Sequence, residues 1–185
     1  MNKNIMEYET VDVDDNDNSV IIIDQTRLPG KTEIIKLHTA QEIWDAIYLL
    51  KVRGAPAIGV AAAFGIYVLA KEIAGAESGA EEFYKKFQEQ KDYLNSARPT
   101  AVNLSWALNR MDRVCRQAID EGKKIDEVVE NLGREAREIK AEDIRVCRAI
   151  GENGLSLVKP GDGILTHCNA GQARLMKFRP LMEVM

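Results

Sequence analysis

Histidine occurs twice and cysteine three times in 185 residues, and neither is grouped. Cys115, Cys147 and Cys168 form no CxxC pair, and His38 and His167 stand far apart, so no zinc-like ligand set is written in the chain. The odd, scattered cysteines also argue against a disulfide framework and for a reducing, cytoplasmic setting. A basic excess is missing too: 25 Lys and Arg against 29 Asp and Glu leave a net charge of −4, which gives no reason to expect nucleic acid as a partner. Met1 to Asn18 is polar and acidic, without the basic and apolar regions of a signal peptide. The longest apolar run, Ala55 to Ala70, is alanine-rich, broken by Gly59 and Gly65, and too short to span a bilayer comfortably; it reads as a buried helix, and no membrane partner is expected. What remains is 45% hydrophobic and 29% charged, the profile of a globular chain of one domain, or of a small domain with part of another.

Local signals divide this chain into a flexible acidic start (1–18), a body of strands and helices (19–158) and a last segment (159–185). Asp12 to Asn18 is turn-rich and expected to fray. Val20 to Asp24, with three consecutive isoleucines, reads as a strand, and Thr32 to Leu37 as its return after the Pro29-Gly30 turn, making a hairpin. Thr39 and Glu42 form a capping box ahead of a helix whose inward face is Ile43, Ala46, Ile47 and Leu50. Pro56 suits the first turn of the alanine-rich helix. Helices follow over Glu81 to Leu94, from about Leu104 to Gly122, and from Ile125 to Ile150 as one helix or two. Pro160-Gly161-Asp162-Gly163 is a turn, and Ile164 to Cys168 starts a buried strand. The expected fold is α/β overall: a mainly helical amino-terminal domain with a β-hairpin, then the first strand of an incomplete Rossmann-like domain.

Three places carry candidate chemistry. Arg53-Gly54-Ala55 stands directly before a helix, where free N–H groups and the helix dipole attract an anion and the guanidinium can grip a phosphate. The same spacing also describes an ordinary tight turn, the commoner case. Arg98-Pro99-Thr100 is a second arginine loop before a helix; the two would make a better clamp together than singly. Cys168 ends its strand and is followed by Asn169-Ala170-Gly171, a turn able to offer N–H donors; on residues alone it is as readily a structural thiol as a functional one. His167 points to the opposite strand face, so the two form no dyad. Cys115 and Cys147, on helical stretches, read as inert thiols.

Four ordered blocks carry a resemblance. They are Ile-Ile-Ile-Asp-Gln-Thr-Arg-Leu-Pro at 21–29, Val-Arg-Gly-Ala-Pro-Ala-Ile-Gly-Val-Ala-Ala-Ala at 52–63, Ala-Arg-Pro-Thr-Ala-Val-Asn-Leu at 97–104 and Leu-Thr-His-Cys-Asn-Ala-Gly at 165–171. Together with the helix from Glu142-Asp143 to Gly154, they resemble the methylthioribose-1-phosphate isomerase group of the initiation factor 2B-like sugar-phosphate isomerase family. The resemblance implies an aldose–ketose isomerase of methionine salvage, converting 5-methylthioribose 1-phosphate to 5-methylthioribulose 1-phosphate without a cofactor or metal. It implies substrate and phosphate binding by Arg53, Gly54, Ala55 and Arg98, and a proton-transfer or transition-state-stabilising role for Cys168. Relatives acting on 5-deoxyribose 1-phosphate or ribose 1,5-bisphosphate, and non-catalytic regulatory subunits, share the framework. The family's carboxyl-terminal domain supplies an aspartate proton donor and its dimer contact. The resemblance is expected to stop after Gln172, so the chain by itself is expected to be an incomplete fragment with little or no isomerase activity and doubtful dimerisation.

Overall fold

A computed structural model describes residues 9–76, 79–159 and 161–163. Three antiparallel strands, β1 (Val11–Asp14), β2 (Ser19–Ile23) and β3 (Ile34–Leu37), lie in the order β1-β2-β3. Five helices follow: α1 (Ala40–Tyr48), α2 (Ala55–Ala76), α3 (Ala80–Asn95), α4 (Val102–Asp120) and α5 (Ile125–Leu155). The predicted hairpin is thus the β2–β3 half of a larger sheet. The segment expected to fray is instead strand β1 and a turn, with Val11 opposite Ile22 and Val13 opposite Val20. Long-range side chains hold that turn: Asp15 accepts from the Tyr67 hydroxyl at 2.8 Å and from Lys71 at 3.1 Å, and is paired with Arg137. Strand alternation puts Val11, Val20, Ile22 and Leu37 in the core.

α2 is the axis of the protein. It is long and apolar enough to cross a membrane by length and composition, yet 83% of its most apolar window is buried within the protein. Every residue from Ala57 to Ala70 is buried, because α1, α3, α4, α5 and the sheet all pack on it. Its small side chains permit this close approach. A Cβ on Gly65 would stand 2.8 Å from Ile43, and one on α5's Gly133 would stand 2.8 Å from the Tyr67 ring.

The outer helices follow their stripes. The α1 capping box is formed, with Glu42 N–H donating to Thr39 and the Glu42 carboxylate accepting from Thr39 N–H at 3.0 Å. Leu50 departs from the expected inward face: α1 has ended by then, and Leu50 turns left-handed (φ 60°) and is exposed. α4 buries Leu104, Leu108, Met111, Cys115 and Ala118 as its spacing predicts, and α5 is one uninterrupted helix. Charges of α4 and α5 in part bridge helices: Arg110 bonds Glu135 and Glu142, and Asp112 accepts from Tyr84, Gln88 and Lys91 of α3. The strand expected over Ile164 to Cys168, and with it the Rossmann-like start, lies outside the described residues.

Candidate functional site

Two sequence blocks meet at the start of α2. Gln25 N–H donates to Lys51 O at 2.9 Å, and its side-chain amide donates to Arg53 O at 3.4 Å. Asp24 closes the turn that carries Gln25 by accepting from Thr26 N–H and hydroxyl. The Ile-Ile-Ile-Asp-Gln-Thr block therefore braces the Arg53-Gly54-Ala55 turn from below. Gly54 has a φ of 92°, a left-handed conformation that other residues adopt only with strain. Ile58 N–H donates to Gly54 O at 3.0 Å, so the helix starts immediately. The amides of Ala55 and Ala57 lie in its first turn, where a helix has no carbonyl of its own to offer them. Arg53, directly before this turn, is exposed.

Arg98 lies on the turn before α4, closed by Ala101 N–H donating to Arg98 O at 2.9 Å, and is half-buried. Spacing alone left its relation to Arg53 open. In the fold, a Cβ on Gly59 would stand 3.0 Å from Asn103 O and 3.6 Å from Ala107 Cβ. α2 and α4 thus touch within about a turn of their starts, and both arginine loops come to the same end of the helix pair.

Between these helix starts and the middle of α5 opens a cleft of about 320 Å³. Pro56, Gly59 and Val60 form one wall, Val102, Asn103 and Trp106 a second, and Ile139, Glu142, Asp143 and Val146 the third. Trp106 is backed by the Arg110 guanidinium, 5.4 Å from its ring centroid, and that guanidinium is tied to Glu135 and Glu142. Asp143 Oδ2 is buried, and among the described residues no donor reaches it. Burial raises the Asp143 carboxyl above its ordinary value. Sequence reasoning did not single out Trp106 or Asp143 as site residues. The available signal was that Val102 and Trp106 lie one turn apart, off the buried stripe of α4.

The cysteines divide as their elements dictate. Cys115 is fully buried, and burial pushes its thiol up to about 12, far from thiolate reactivity. Cys147 is half-buried, its thiol also raised by burial. Cys168 and His167 lie outside the described residues. Among the described residues, no group of three or more His, Cys, Asp or Glu is placed to hold a metal ion.

Comparison with known proteins gives concordant matches. The initiation factor 2 subunit family matches residues 51–180, running past Gln172, where the resemblance was expected to stop. A methylthioribose-1-phosphate isomerase of Parabacteroides distasonis is 55% identical over 161 residues, covering 87% of this chain and 47% of the relative. A 5-deoxyribose 1-phosphate isomerase of Petrotoga mobilis is 50% identical over 154 residues, covering 83% and 43%. The crystal structure of 5-methylthioribose 1-phosphate isomerase from Pyrococcus horikoshii superposes with a TM-score of 0.82 at 34% identity, over 94% of this chain and 49% of that one. Subunit delta of the translation initiation factor eIF-2B from A. fulgidus superposes with a TM-score of 0.77 at 38% identity, over 92% and 48%. The chain therefore spans about half the length of the curated relatives it matches.

Proposed function

Because the chain belongs to the initiation factor 2 subunit family, we propose that it carries the amino-terminal half of a sugar-phosphate isomerase site, acting on 5-methylthioribose 1-phosphate in methionine salvage. The observation that carries this reading is the 55% identity over 161 residues to a methylthioribose-1-phosphate isomerase. The common position of the two arginine loops supports it.

The substrate's chemistry assigns the parts. A sugar phosphorylated at C1 cannot open to a free aldehyde, so the ring C1–O bond must break with acid assistance. A proton then leaves C2, C1 gains one, and the C2 alcohol becomes the ketone. No oxidant enters. Phosphate held by Arg53, Arg98 and the first amides of α2 would fix C1 against the proton-transferring group. Cys168 is the proposed proton-transfer group, in a cytoplasmic enzyme without a cofactor.

Calorimetric titration of the full chain with 5-methylthioribose 1-phosphate tests the reading. Saturable binding is expected, weakened about tenfold or more by Arg53→Ala or Arg98→Ala, since a hydrogen bond to a charged group contributes about 1.5–3 kcal/mol. Absence of binding, or binding indifferent to both substitutions, would overturn it.

A further inference from the structure

The cleft beside the arginine loops has a chemistry opposite to theirs. Among the described residues that line it none is cationic, and two, Glu142 and Asp143, are acidic. Arg110, which lies over the Trp106 wall, is already bonded to Glu135 and Glu142. Its remaining surface is apolar and partly solvent-facing: Val102 is 78% exposed, Trp106 44% and Val146 51%. Val146 follows Asp143 by three residues and Val102 precedes Trp106 by four, so each pair lies on one helix face. Asp143 Oδ2 is out of solvent without a donor among the described residues, which is costly unless something supplies one. The rim is short. Pro56 is three residues past Arg53 and Val102 four past Arg98.

We propose that this cleft is the subsite for the sugar end of the substrate. Asp143 accepts a hydrogen bond from a sugar hydroxyl, and Val102, Trp106 and Val146 seat an uncharged, apolar group at C5. The proposal rests on the sugar-phosphate reading above and adds residues and a selectivity to it. A ligand with one anionic and one apolar end fits a site with one cationic and one apolar, acidic end. The names of the relatives agree in chemistry, since a methylthio group and a 5-deoxy carbon are both uncharged. A second phosphate at C5, as in ribose 1,5-bisphosphate, would meet the Asp143 carboxylate with no free cation among the described lining residues, Glu142 being already paired with Arg110, and like charges in a half-enclosed cleft repel.

Fluorine NMR of the full chain labelled with 5-fluorotryptophan reads this directly, because the chain has two tryptophans. Trp106→Phe assigns the two resonances. Trp44, hydrogen-bonded to Ser96 and stacked on Tyr48, serves as the internal control. Titration with 5-methylthioribose 1-phosphate or 5-deoxyribose 1-phosphate should move the Trp106 resonance saturably and leave Trp44 still. Ribose 1,5-bisphosphate should bind at least tenfold more weakly. Asp143→Asn, which preserves volume, should weaken the two apolar sugars several-fold and narrow the gap to the bisphosphate. A Trp106 resonance that stays still while calorimetry records binding would overturn the subsite alone, as would unchanged affinities and gap in Asp143→Asn. Failure of every sugar phosphate and of inorganic phosphate to bind would remove the functional reading with it.

Discussion

Gly133 and Gly154 lie on the same helix, yet alanine at the two positions should act in opposite directions. A Cβ on Gly133 would stand 2.8 Å from Cε2 and Cζ of Tyr67 and 3.0 Å from its hydroxyl. Carbon atoms pack best at about 3.5–4.0 Å, so the ring must move by most of an ångström. It is poorly free to do so, because its hydroxyl donates to Asp15 at 2.8 Å while Lys71 and Arg137 lie over the ring. Overpacking of this kind costs about 1–3 kcal/mol, and disturbing the Tyr67–Asp15 bond about 1 more. The better helix propensity of alanine offsets about 1 kcal/mol. Gly133→Ala should therefore destabilise the protein by about 2 kcal/mol, lowering Tm by about 4–8 °C for a chain of this size. Around Gly154 nothing lies within 4 Å of the added carbon. Gly154→Ala should stabilise by up to about 1 kcal/mol, less any fraying of the last turn. Urea unfolding followed by circular dichroism gives both values, and Tyr67→Leu supplies the cross-check, because Gly133→Ala should turn neutral or stabilising once the ring is gone. Equal stabilisation by both alanines would refute the claim that α5 is pressed onto the Tyr67 ring.

The remaining predictions concern two polar junctions. Thr39→Ala should cost about 1 kcal/mol in the same unfolding assay, the usual value of an N-cap. Its partner Glu42 is held below the ordinary 4.5 by the His38 and Thr39 amides; the stability it adds is present above pH 4.5 and lost as pH falls through its lowered value, so the gap between wild type and Glu42→Gln should shrink in acid and nowhere else. Asp112→Ala should cost about 1–3 kcal/mol, because it strips the partner from a largely buried Lys91 as well as from Tyr84 and Gln88. Burial and the Asp112 bond push Tyr84 up to about 12; the fold thus favours the neutral phenol, a contribution complete below pH 10 and fading from 10 toward 12. A stability gap between wild type and Tyr84→Phe that stays flat across that window would disprove this.

The helical part of the fold was open to reading because its signals are local. A capping box spans three residues, and the α4 stripe repeats every three or four. β1 was missed for the converse reason. Its sequence, Val-Asp-Val-Asp, is half acidic, and its turn is held by Asp15 through Tyr67 and Arg137, 52 and 122 residues away. At the candidate site, the arginine loops stood out from residue type and from their place before helices. The cleft did not, because its walls come from three helices far apart in the chain.

The sequence by itself determined the helices, the capped start of α1, the buried character of α2 and the two arginine-bearing turns, all set by interactions over a few residues. Tertiary structure alone decided that the turns share one end of the α2–α4 pair. Glycine eases the contact: a Cβ at Gly59 would stand 3.0 Å from Asn103 O, so with any other residue the two helices would have to ease apart by a few tenths of an ångström. It also decided that the Oδ2 atom of Asp143 is out of solvent, with no donor among the described residues, in the cleft that Trp106 lines, since desolvation depends on what other helices bring to a residue rather than on its neighbours in the chain.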